Sequence, residues 1–423
     1  MISILNSFTI KNYRWLWFIT TLVNTGSWTF TLVVTWQAYA LTHSSTWSGA
    51  MMFATLIPNI IGAPIAGVLS DIMDRRRLMV WTALLQVTVT GILAILTPLH
   101  ALTPVGLLGL ALIFGFATSG MNVMLSSLVP VVVPSERLFN ALSLQAMAQR
   151  GTELIGPVLA SPLLVLYGPG MVYWLAAVLY LLASVAVRFL SSVKIHHPSG
   201  HIHHQNPFAS LIEGFVYVRK MLTIAMLMSI VGLHCALTMA FMGMLPQFVK
   251  ITLHGSSAFY GEVMSSVGLG SIIGTLLLAA IKGDRTRGSL YWITALISGG
   301  SLSLLAISRT HVLAIAAVVL VGASQATFMT LSLGYIQHMT ENHLRGRVTS
   351  LYLVLAGGLM SLANLGYGAL SNVIEPQWIM ASTGILFMVI VAIYAALSRQ
   401  FRSVSRAGVF LPVDYMPTSM EGA

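Results

Sequence analysis

The feature that most constrains this chain is a recurring run of about 20 apolar residues, the length that crosses the hydrocarbon core of a bilayer as a helix. Such runs cover nearly the whole sequence and alternate with short polar segments. The predicted spans are 15–40, 47–69, 78–97, 104–130, 140–166, 170–190, 221–247, 258–281, 289–307, 311–336, 347–371 and 377–397. They are too long and too continuously apolar for the alternating strands of a membrane β-barrel. The sequence therefore predicts an all-α membrane protein with twelve transmembrane helices.

The distribution of charge predicts the orientation of these helices. Only 8% of the residues are charged and 57% are hydrophobic, whereas soluble domains are about one quarter charged. Of the 21 Lys and Arg residues, only Lys250 and Arg309 fall outside the loops and ends assigned to one side. This is the positive-inside pattern, and it predicts that both termini are cytoplasmic. The net charge of +10 is thus explained by topology, and we expect no nucleic-acid partner.

The longest polar interruption, "SSVKIHHPSGHIHHQNPFASLIEGFVYVRK", separates six predicted spans from the following six. Its second part, from Phe208 to Lys220, has apolar residues at 208, 211, 212, 215, 216 and 218 with charged residues among them, as an amphipathic surface helix does. The predicted domains are a six-helix half over 1–190, a cytoplasmic linker over 191–220, a second six-helix half over 221–398, and a cytoplasmic tail over 399–423.

Charged loops recur at corresponding places in the two halves. "DIMDRRR" follows the second span and "KGDRTRG" the eighth, while "VPSERLFNALSL" follows the fourth and "TENHLRGRVTSLY" the tenth. Two parallel six-helix repeats form the architecture of one large class of secondary transporters. The loops therefore favour an internal repeat of this kind.

The first of these loops carries a family resemblance. Gly67, Asp71, Arg75 and Arg76 in "GVLSDIMDRRR" resemble the signature between helices two and three of the major facilitator superfamily. "VPSERLFNALSL", "LIEGFVYVRK" and "HLRGRVTSLY" resemble loops of its drug and siderophore exporter subgroup, which includes macrolide efflux pumps and the enterobactin exporter. The resemblance implies the major facilitator fold and a multi-pass protein of the bacterial inner membrane.

Some positions depart from the pattern. In the loop signature, Ile72 stands where a basic residue is usual and Asp74 stands where Gly is usual. The antiporter-type motif on helix five is partial, because Gly156 and Pro157 are present but Thr152 replaces a Gly. An Ala-Ser pair also replaces a Gly pair. These departures leave the direction of transport open.

The charged loops are the predicted gates. A carboxylate at Asp71 can meet a helix amino terminus and the Arg75 guanidinium, forming a latch that closes the cytoplasmic mouth. The alternative is that the basic cluster only anchors the loop against anionic lipid. The predicted gating residues are Gly67, Asp71, Arg75, Arg76, Asp284, Arg285, Arg345, Gly346 and Arg347.

Polar residues at mid-depth are the predicted transport pathway, because an ionisable group in the membrane is costly unless it faces a partner or water. Arg150 and Glu153 are three residues apart, so both project from one helical face and can pair. They either line a cavity, with Glu153 as the proton carrier, or form a permanent ion pair that holds helix five in place. The predicted pathway residues are Asn24, Trp28, Asn59, Arg150, Glu153, His234, Glu262 and Gln325.

Five histidines lie in the linker, at positions 196, 197, 201, 203 and 204. Imidazole clusters bind zinc or copper, but a Pro-Ser-Gly stretch interrupts this one and no acidic or Cys ligand is adjacent. A solvated linker is the preferred interpretation, and we expect no metal and no cofactor. The single cysteine, Cys235, lies in an apolar run and is expected to serve packing.

These observations predict a secondary transporter that exports amphiphilic small molecules, of drug or siderophore type, by alternating access with proton antiport. The substrate class and direction follow from the resemblance. Uptake of a nutrient by the same fold is the alternative, and a lipid-handling or sensory role is a more remote one. An intramembrane enzyme is disfavoured because H-E-x-x-H and G-x-S-x-G are absent. The phosphate-binding motif G-x-x-x-x-G-K-[ST] is also absent, so the sequence gives no support for ATP-driven transport. The expected partners are the substrate, protons and membrane lipids, and the expected state is a monomer.

Overall fold

A computed structural model describes residues 6–190, 207–281, 283–341 and 344–397. Within these ranges the chain is helical and contains no β-strand. The helical class predicted from the apolar runs is therefore confirmed. The histidine cluster of the linker and the tail after residue 398 lie outside the described residues.

Fifteen α-helices are formed by the described residues. They are α1 (Lys11–Thr42), α2 (Ser45–Leu56), α3 (Pro58–Ile72), α4 (Arg75–Leu96), α5 (Pro104–Val132), α6 (Ser135–Tyr167), α7 (Pro169–Val187), α8 (Pro207–Lys220), α9 (Leu222–His234), α10 (Leu245–Gln247), α11 (Ser257–Ala280), α12 (Asp284–Ile307), α13 (His311–Met339), α14 (Arg345–Leu370) and α15 (Pro376–Leu397). Helix α8 coincides with the amphipathic segment predicted in the linker.

Ten helical segments of the described chain are long and apolar enough to cross a membrane. Helices α1 and α6 are not among them, although both are longer than a bilayer crossing requires. Helix α1 is rich in threonine, and α6 carries Arg137, Arg150 and Glu153 within its length. Their polarity, rather than their length, separates them from the other spans, so the count of twelve crossings remains a prediction.

Two of the predicted continuous spans are interrupted. Ile57 separates α2 from α3, and Pro58 follows as the first residue of α3, where its missing N–H leaves no bond unmade. The seventh span is broken more extensively. After α9 it continues as a π-helix (Cys235–Met239), a 3-10 helix (Ala240–Gly243), α10 and a second π-helix (Phe248–Thr252). Discontinuous helices of this kind line ligand and ion sites in secondary transporters.

The chain divides into two compact units that do not follow chain order. Unit 1 comprises Met1–Pro207, Met242–Leu269 and Asn364–Val373. Unit 2 comprises Phe208–Phe241, Gly270–Ala363 and Ile374–Ala423. The chain changes from one unit to the other at the start of α8, in the broken seventh span, in α11, in α14 and just before α15.

Each unit has its own aromatic core. In unit 1, the rings of Phe30 on α1 and Phe114 on α5 stack with centroids 3.7 Å apart. In unit 2, the Phe328 ring lies 4.9 Å from the Tyr291 ring and 6.2 Å from that of Phe387, and all three side chains are fully buried. Such clusters tie together helices that are distant in sequence.

Candidate functional site

The charged pair of unit 1 lies on α6. Arg150 Nη1 is 2.8 Å from Glu153 Oε1, which is the i,i+3 pairing that the spacing predicts. The Arg150 side chain is 33% exposed and that of Glu153 is 13% exposed. The carboxylate is therefore the more enclosed partner of the pair. The two roles considered for the pair, lining a transport pathway and holding the helix in place, both stay predictions.

Helix α6 packs closely on α1 in unit 1. A side chain at Gly156, one turn beyond Glu153, would place its Cβ 2.7 Å from Trp28 Cβ. The glycine retained from the antiporter-type motif thus permits a close approach of α6 to α1. The half-buried side chain of Asn24 donates through Nδ2 to Thr20 O at 2.8 Å, within its own helix.

A second polar contact between α1 and α6 was not predicted from the sequence. Gln145 Nε2 donates to Thr20 Oγ1 at 2.6 Å, and both residues are buried. The Gln145 Oε1 atom is buried with no hydrogen-bond partner in the described residues. Position 145 lies on the helix of Arg150 and Glu153, so a search of that helix for neutral amides as well as charges would have found it.

Helix α6 also meets the first half of α11. A Cβ placed at Gly268 would overlap the backbone of Glu153, and one placed at Gly261 would overlap the Ser161 side chain. Two glycines two turns apart on α11 thus allow this helix to pack closely on α6, and one of the two contacts is at the backbone of Glu153. Glu262, in contrast, has an exposed side chain, and its carbonyl accepts from Ser266 Oγ at 2.7 Å.

The first charged loop lies between α3 and α4. The side chain of Asp71 lies outside the described residues, so the latch with Arg75 is left as a prediction. Arg76 Nη2 donates to Arg188 O, at the end of α7, at 3.0 Å. Gly67 and Asn59 lie on α3, and both are half-buried. Of the predicted residues in this part of the chain, only Arg76 is tied to another helix by a described hydrogen bond.

Asp74, noted above as a departure from the loop signature, has a structural role. It is the N-cap of α4, and its Oδ1 accepts from the backbone N of Arg76 at 2.8 Å and of Arg77 at 3.4 Å. A carboxylate at this position satisfies free N–H groups and complements the helix dipole. The cap was not predicted, although Asp immediately before a helical run is a recognisable start signal.

In unit 2, two predicted pathway residues belong to one buried polar network. His234 Nε2 and Ser298 Oγ are 2.9 Å apart, and Ser298 Oγ also donates to Thr238 Oγ1 at 3.3 Å. Gln325 Nε2 donates to Thr238 O at 2.8 Å. Thr238 lies in the first π-helix, so the network supports the irregular part of the seventh span. The Phe328 ring, 4.5 Å from the His234 ring, encloses it further.

The charged loops of the second sequence half, which precede α12 and α14, make different contacts from the loop between α3 and α4. Arg345 Nε donates to Gln337 O at 2.9 Å and to Thr340 O at 3.2 Å, which satisfies carbonyls at the end of α13. Arg347 forms an ion pair with Glu213 of α8. Arg285 is exposed at the start of α12, and the side chain of Asp284 lies outside the described residues.

A cluster of small residues in unit 1 was not predicted from the sequence. We call Gly49, Gly243, Gly368 and Asn364 the glycine cluster. A Cβ at Gly243 would lie 2.8 Å from Gly49 Cα, and one at Gly49 would lie 3.2 Å from Gly368 Cα. Asn364 Oδ1 accepts from Gly243 N at 2.8 Å. The backbones of three helical segments therefore touch at this point, as small-residue contacts in membranes allow.

Polar side chains surround the glycine cluster. Ser45 Oγ donates to Gln247 Oε1, and Gln247 Nε2 donates to Ser371 O at 3.2 Å. Asn372 Nδ2 donates to Thr46 Oγ1 at 2.5 Å. The predicted topology, with both termini cytoplasmic, would put these helix ends on the outer side of the membrane. The glycine cluster could have been found from the pair of small residues four apart in "STWSG".

Comparison with known proteins identifies the family. The family described as "Transmembrane secretion effector", of the major facilitator superfamily type, matches residues 2–408. The chain is 20% identical over 381 residues to the "Staphyloferrin A transporter" of Staphylococcus aureus, covering 89% of this chain and 94% of that protein. It is 26% identical over 339 residues to the "Enterobactin exporter EntS" of Citrobacter koseri, covering 78% of each.

Solved structures show the same fold. The structure of a variant of the nucleoside transporter NupG superposes with a TM-score of 0.74 at 12% identity, covering 90% of this chain and 99% of that one. A POT family transporter in complex with 5-aminolevulinic acid gives 0.74 at 13% identity, covering 92% and 96%. The relatives are transporters rather than enzymes. The chain belongs to the major facilitator superfamily of membrane transporters, within the transmembrane secretion effector family.

Proposed function

We propose that the protein is a secondary transporter with twelve membrane crossings in two six-helix halves, and that it exports amphiphilic small molecules of siderophore or drug type. The match to a transporter family over residues 2–408 carries this proposal. The names of the staphyloferrin A and enterobactin relatives favour a siderophore-type substrate, and the name of the enterobactin exporter favours outward transport. The basic residues gathered on one side favour cytoplasmic termini in the inner membrane.

The division of the second sequence half between unit 1 and unit 2 supports alternating access. The segments 242–269 and 364–373 pack with the first six predicted spans in unit 1, through the glycine cluster and the contacts of α11 with α6. The predicted topology assigns these segments to the outer side. The proposal is that these contacts close the outer mouth and separate when the transporter opens outward. The broken seventh span supplies a place at which a helix can bend.

Proton coupling is assigned to Glu153. Its carboxylate is largely enclosed and paired with Arg150 at 2.8 Å on a helix that contacts both α1 and α11. Proton and substrate would occupy this site in turn, because the ionised carboxylate accepts a hydrogen bond from a cationic or donor group of the substrate, and protonation of Glu153 removes the negative charge and releases that group. A single carboxylate of this kind can exchange a proton for a substrate as the two mouths open in turn.

The test is flux in proteoliposomes with an imposed pH gradient. Ethidium, staphyloferrin A and enterobactin serve as trial substrates, and a pH-sensitive dye trapped in the lumen records proton movement. We expect protons to move opposite to the substrate in the wild type and not in Glu153→Gln. The matched control is Glu375→Gln, at an exposed acid just before α15, which we expect to keep the wild-type ratio.

Two results would contradict parts of this proposal. Proton movement that persists in Glu153→Gln removes that residue from the carrier role. If substrate and protons move in the same direction in the wild type, the protein is a proton-coupled uptake transporter rather than an exporter. If Glu153→Gln does not reach the membrane because Arg150 is left unpaired, the double variant Arg150→Gln/Glu153→Gln provides the same measurement without the lone charge.

A further inference from the structure

A pocket of about 350 Å³ lies between the first turns of α4 and the end of α7, within unit 1. Both helix ends lie at the face where the basic residues of the chain collect. The pocket is distinct from the Arg150–Glu153 pair and from the glycine cluster, neither of which contributes to its lining. Its volume is at the lower end of the range for ligand sites, enough for a small polar group rather than for a drug-sized molecule.

The polar part of the pocket is basic. Arg76, Arg77 and Arg188 line it together with one carboxylate, that of Asp74. Asp74 Oδ1 is engaged by the backbone N–H groups of Arg76 and Arg77, and Arg76 Nη2 is engaged by Arg188 O. Arg77 and Arg188 are exposed. Two guanidinium groups therefore face the pocket opening with a net positive charge around them, as a site for an anion requires.

The remaining part of the lining is apolar and open. Trp81 is 66% exposed and Leu84 is 37% exposed. Arg77, Trp81 and Leu84 are spaced i, i+4 and i+7, so they form one stripe on α4. The stripe runs from the basic end of the helix toward the membrane interior. Tryptophan in this position is typical of residues at the boundary between headgroups and acyl chains.

We propose that this pocket binds an anionic glycerophospholipid of the leaflet on the basic side. The Arg77 and Arg188 guanidinium groups would hold the phosphodiester, and an acyl chain would lie along Trp81 and Leu84. Basic pockets between transmembrane helices are known to bind anionic headgroups. A free phosphate ion satisfies the arginines but leaves the apolar stripe without a partner. The continuous basic and apolar surface matches a lipid, which carries both groups in one molecule.

The experiment is native mass spectrometry of purified protein titrated with phosphatidylglycerol or with phosphatidylcholine of the same acyl chains. We expect the wild type to retain phosphatidylglycerol in preference to phosphatidylcholine. In Arg77→Gln/Arg188→Gln, retention of phosphatidylglycerol should weaken on the order of tenfold, because two basic contacts to an anionic group are lost. The matched control is Lys11→Gln/Arg14→Gln, two exposed basic residues in the first turn of α1 of the same unit, which should leave retention unchanged.

A second arm separates lipid from free phosphate. Inorganic phosphate added in excess should displace little phosphatidylglycerol, because it makes none of the apolar contacts, and Trp81→Ala should weaken retention of the lipid. Equal retention of both lipids, unchanged retention in the double variant, or displacement by inorganic phosphate would each overturn the proposal. If the double variant does not fold, the single variant Arg77→Gln, at an exposed side chain, gives the same comparison.

Discussion

The glycine cluster offers the sharpest prediction, and the perturbation is Gly243→Ala. The new Cβ would lie 2.8 Å from Gly49 Cα and 3.0 Å from Asn364 Oδ1. An ordinary van der Waals contact begins near 3.4 Å, and Gly49 Cα is a backbone atom that cannot rotate away. The helical segments must therefore separate by roughly half an ångström. Overpacking of this kind costs about 1–3 kcal/mol.

That cost applies only while the cluster is closed, so it shifts the population toward the state with an open outer mouth. A shift of about 1–3 kcal/mol corresponds to about 5- to 150-fold. The reporter is Ser45→Cys in a Cys235→Ala background, since Ser45 is fully buried and bonded to Gln247. We expect Gly243→Ala to raise the rate of labelling by a membrane-impermeant maleimide applied from the outer side by a factor in this range.

The control for this experiment is Gly91→Ala on α4, where a Cβ meets nothing within 4 Å. This change should leave labelling of the reporter unaltered. If Gly243→Ala labels at the same rate as Gly91→Ala, the glycine cluster does not govern opening of the outer mouth, and the reasoning from close packing is refuted.

Three further predictions concern single contacts. Asp74→Ala should lower the free energy of unfolding by about 1 kcal/mol, because the α4 cap is lost, while Asp74→Asn should preserve the cap. Thermal unfolding in detergent measures the difference. Ser298→Ala should cost about 1–3 kcal/mol, because it leaves His234 Nε2 buried without its partner, whereas Ser298→Thr should cost less. Glu213→Gln should change the free energy of unfolding by about 1 kcal/mol or less, because the pair with Arg347 is partly exposed; a double-mutant cycle of the two residues checks this.

The sequence predicted the helices well because the signal is strong and local. A run of about 20 apolar residues has few structural alternatives in a bilayer, and the backbone must satisfy its own hydrogen bonds there. The amphipathic helix α8 and the pairing of Arg150 with Glu153 likewise depend on residues close in sequence, and both are present. Cys235 is buried against Met239 and Met329, as its apolar surroundings predicted.

What the sequence did not reveal depends on distant partners. The π-helix at Cys235–Met239 contains neither Gly nor Pro, and Gln325, distant in sequence, bonds to the carbonyl of Thr238 within it. The glycine cluster brings together residues of α2, α14 and the seventh span. Chain order also did not predict that segments of the second half pack in unit 1, because that division arises from tertiary contacts.

The central claim is that the outer contacts of unit 1 open and close in each transport cycle, and a reversible cross-link tests it directly. Thr46→Cys and Asn372→Cys in a Cys235→Ala background place two thiols where the native side chains are 2.5 Å apart. A short thiol-specific cross-linker should stop substrate flux in proteoliposomes, and reduction should restore it, while either single cysteine should transport normally with the reagent. Undiminished flux through fully cross-linked protein would contradict the account.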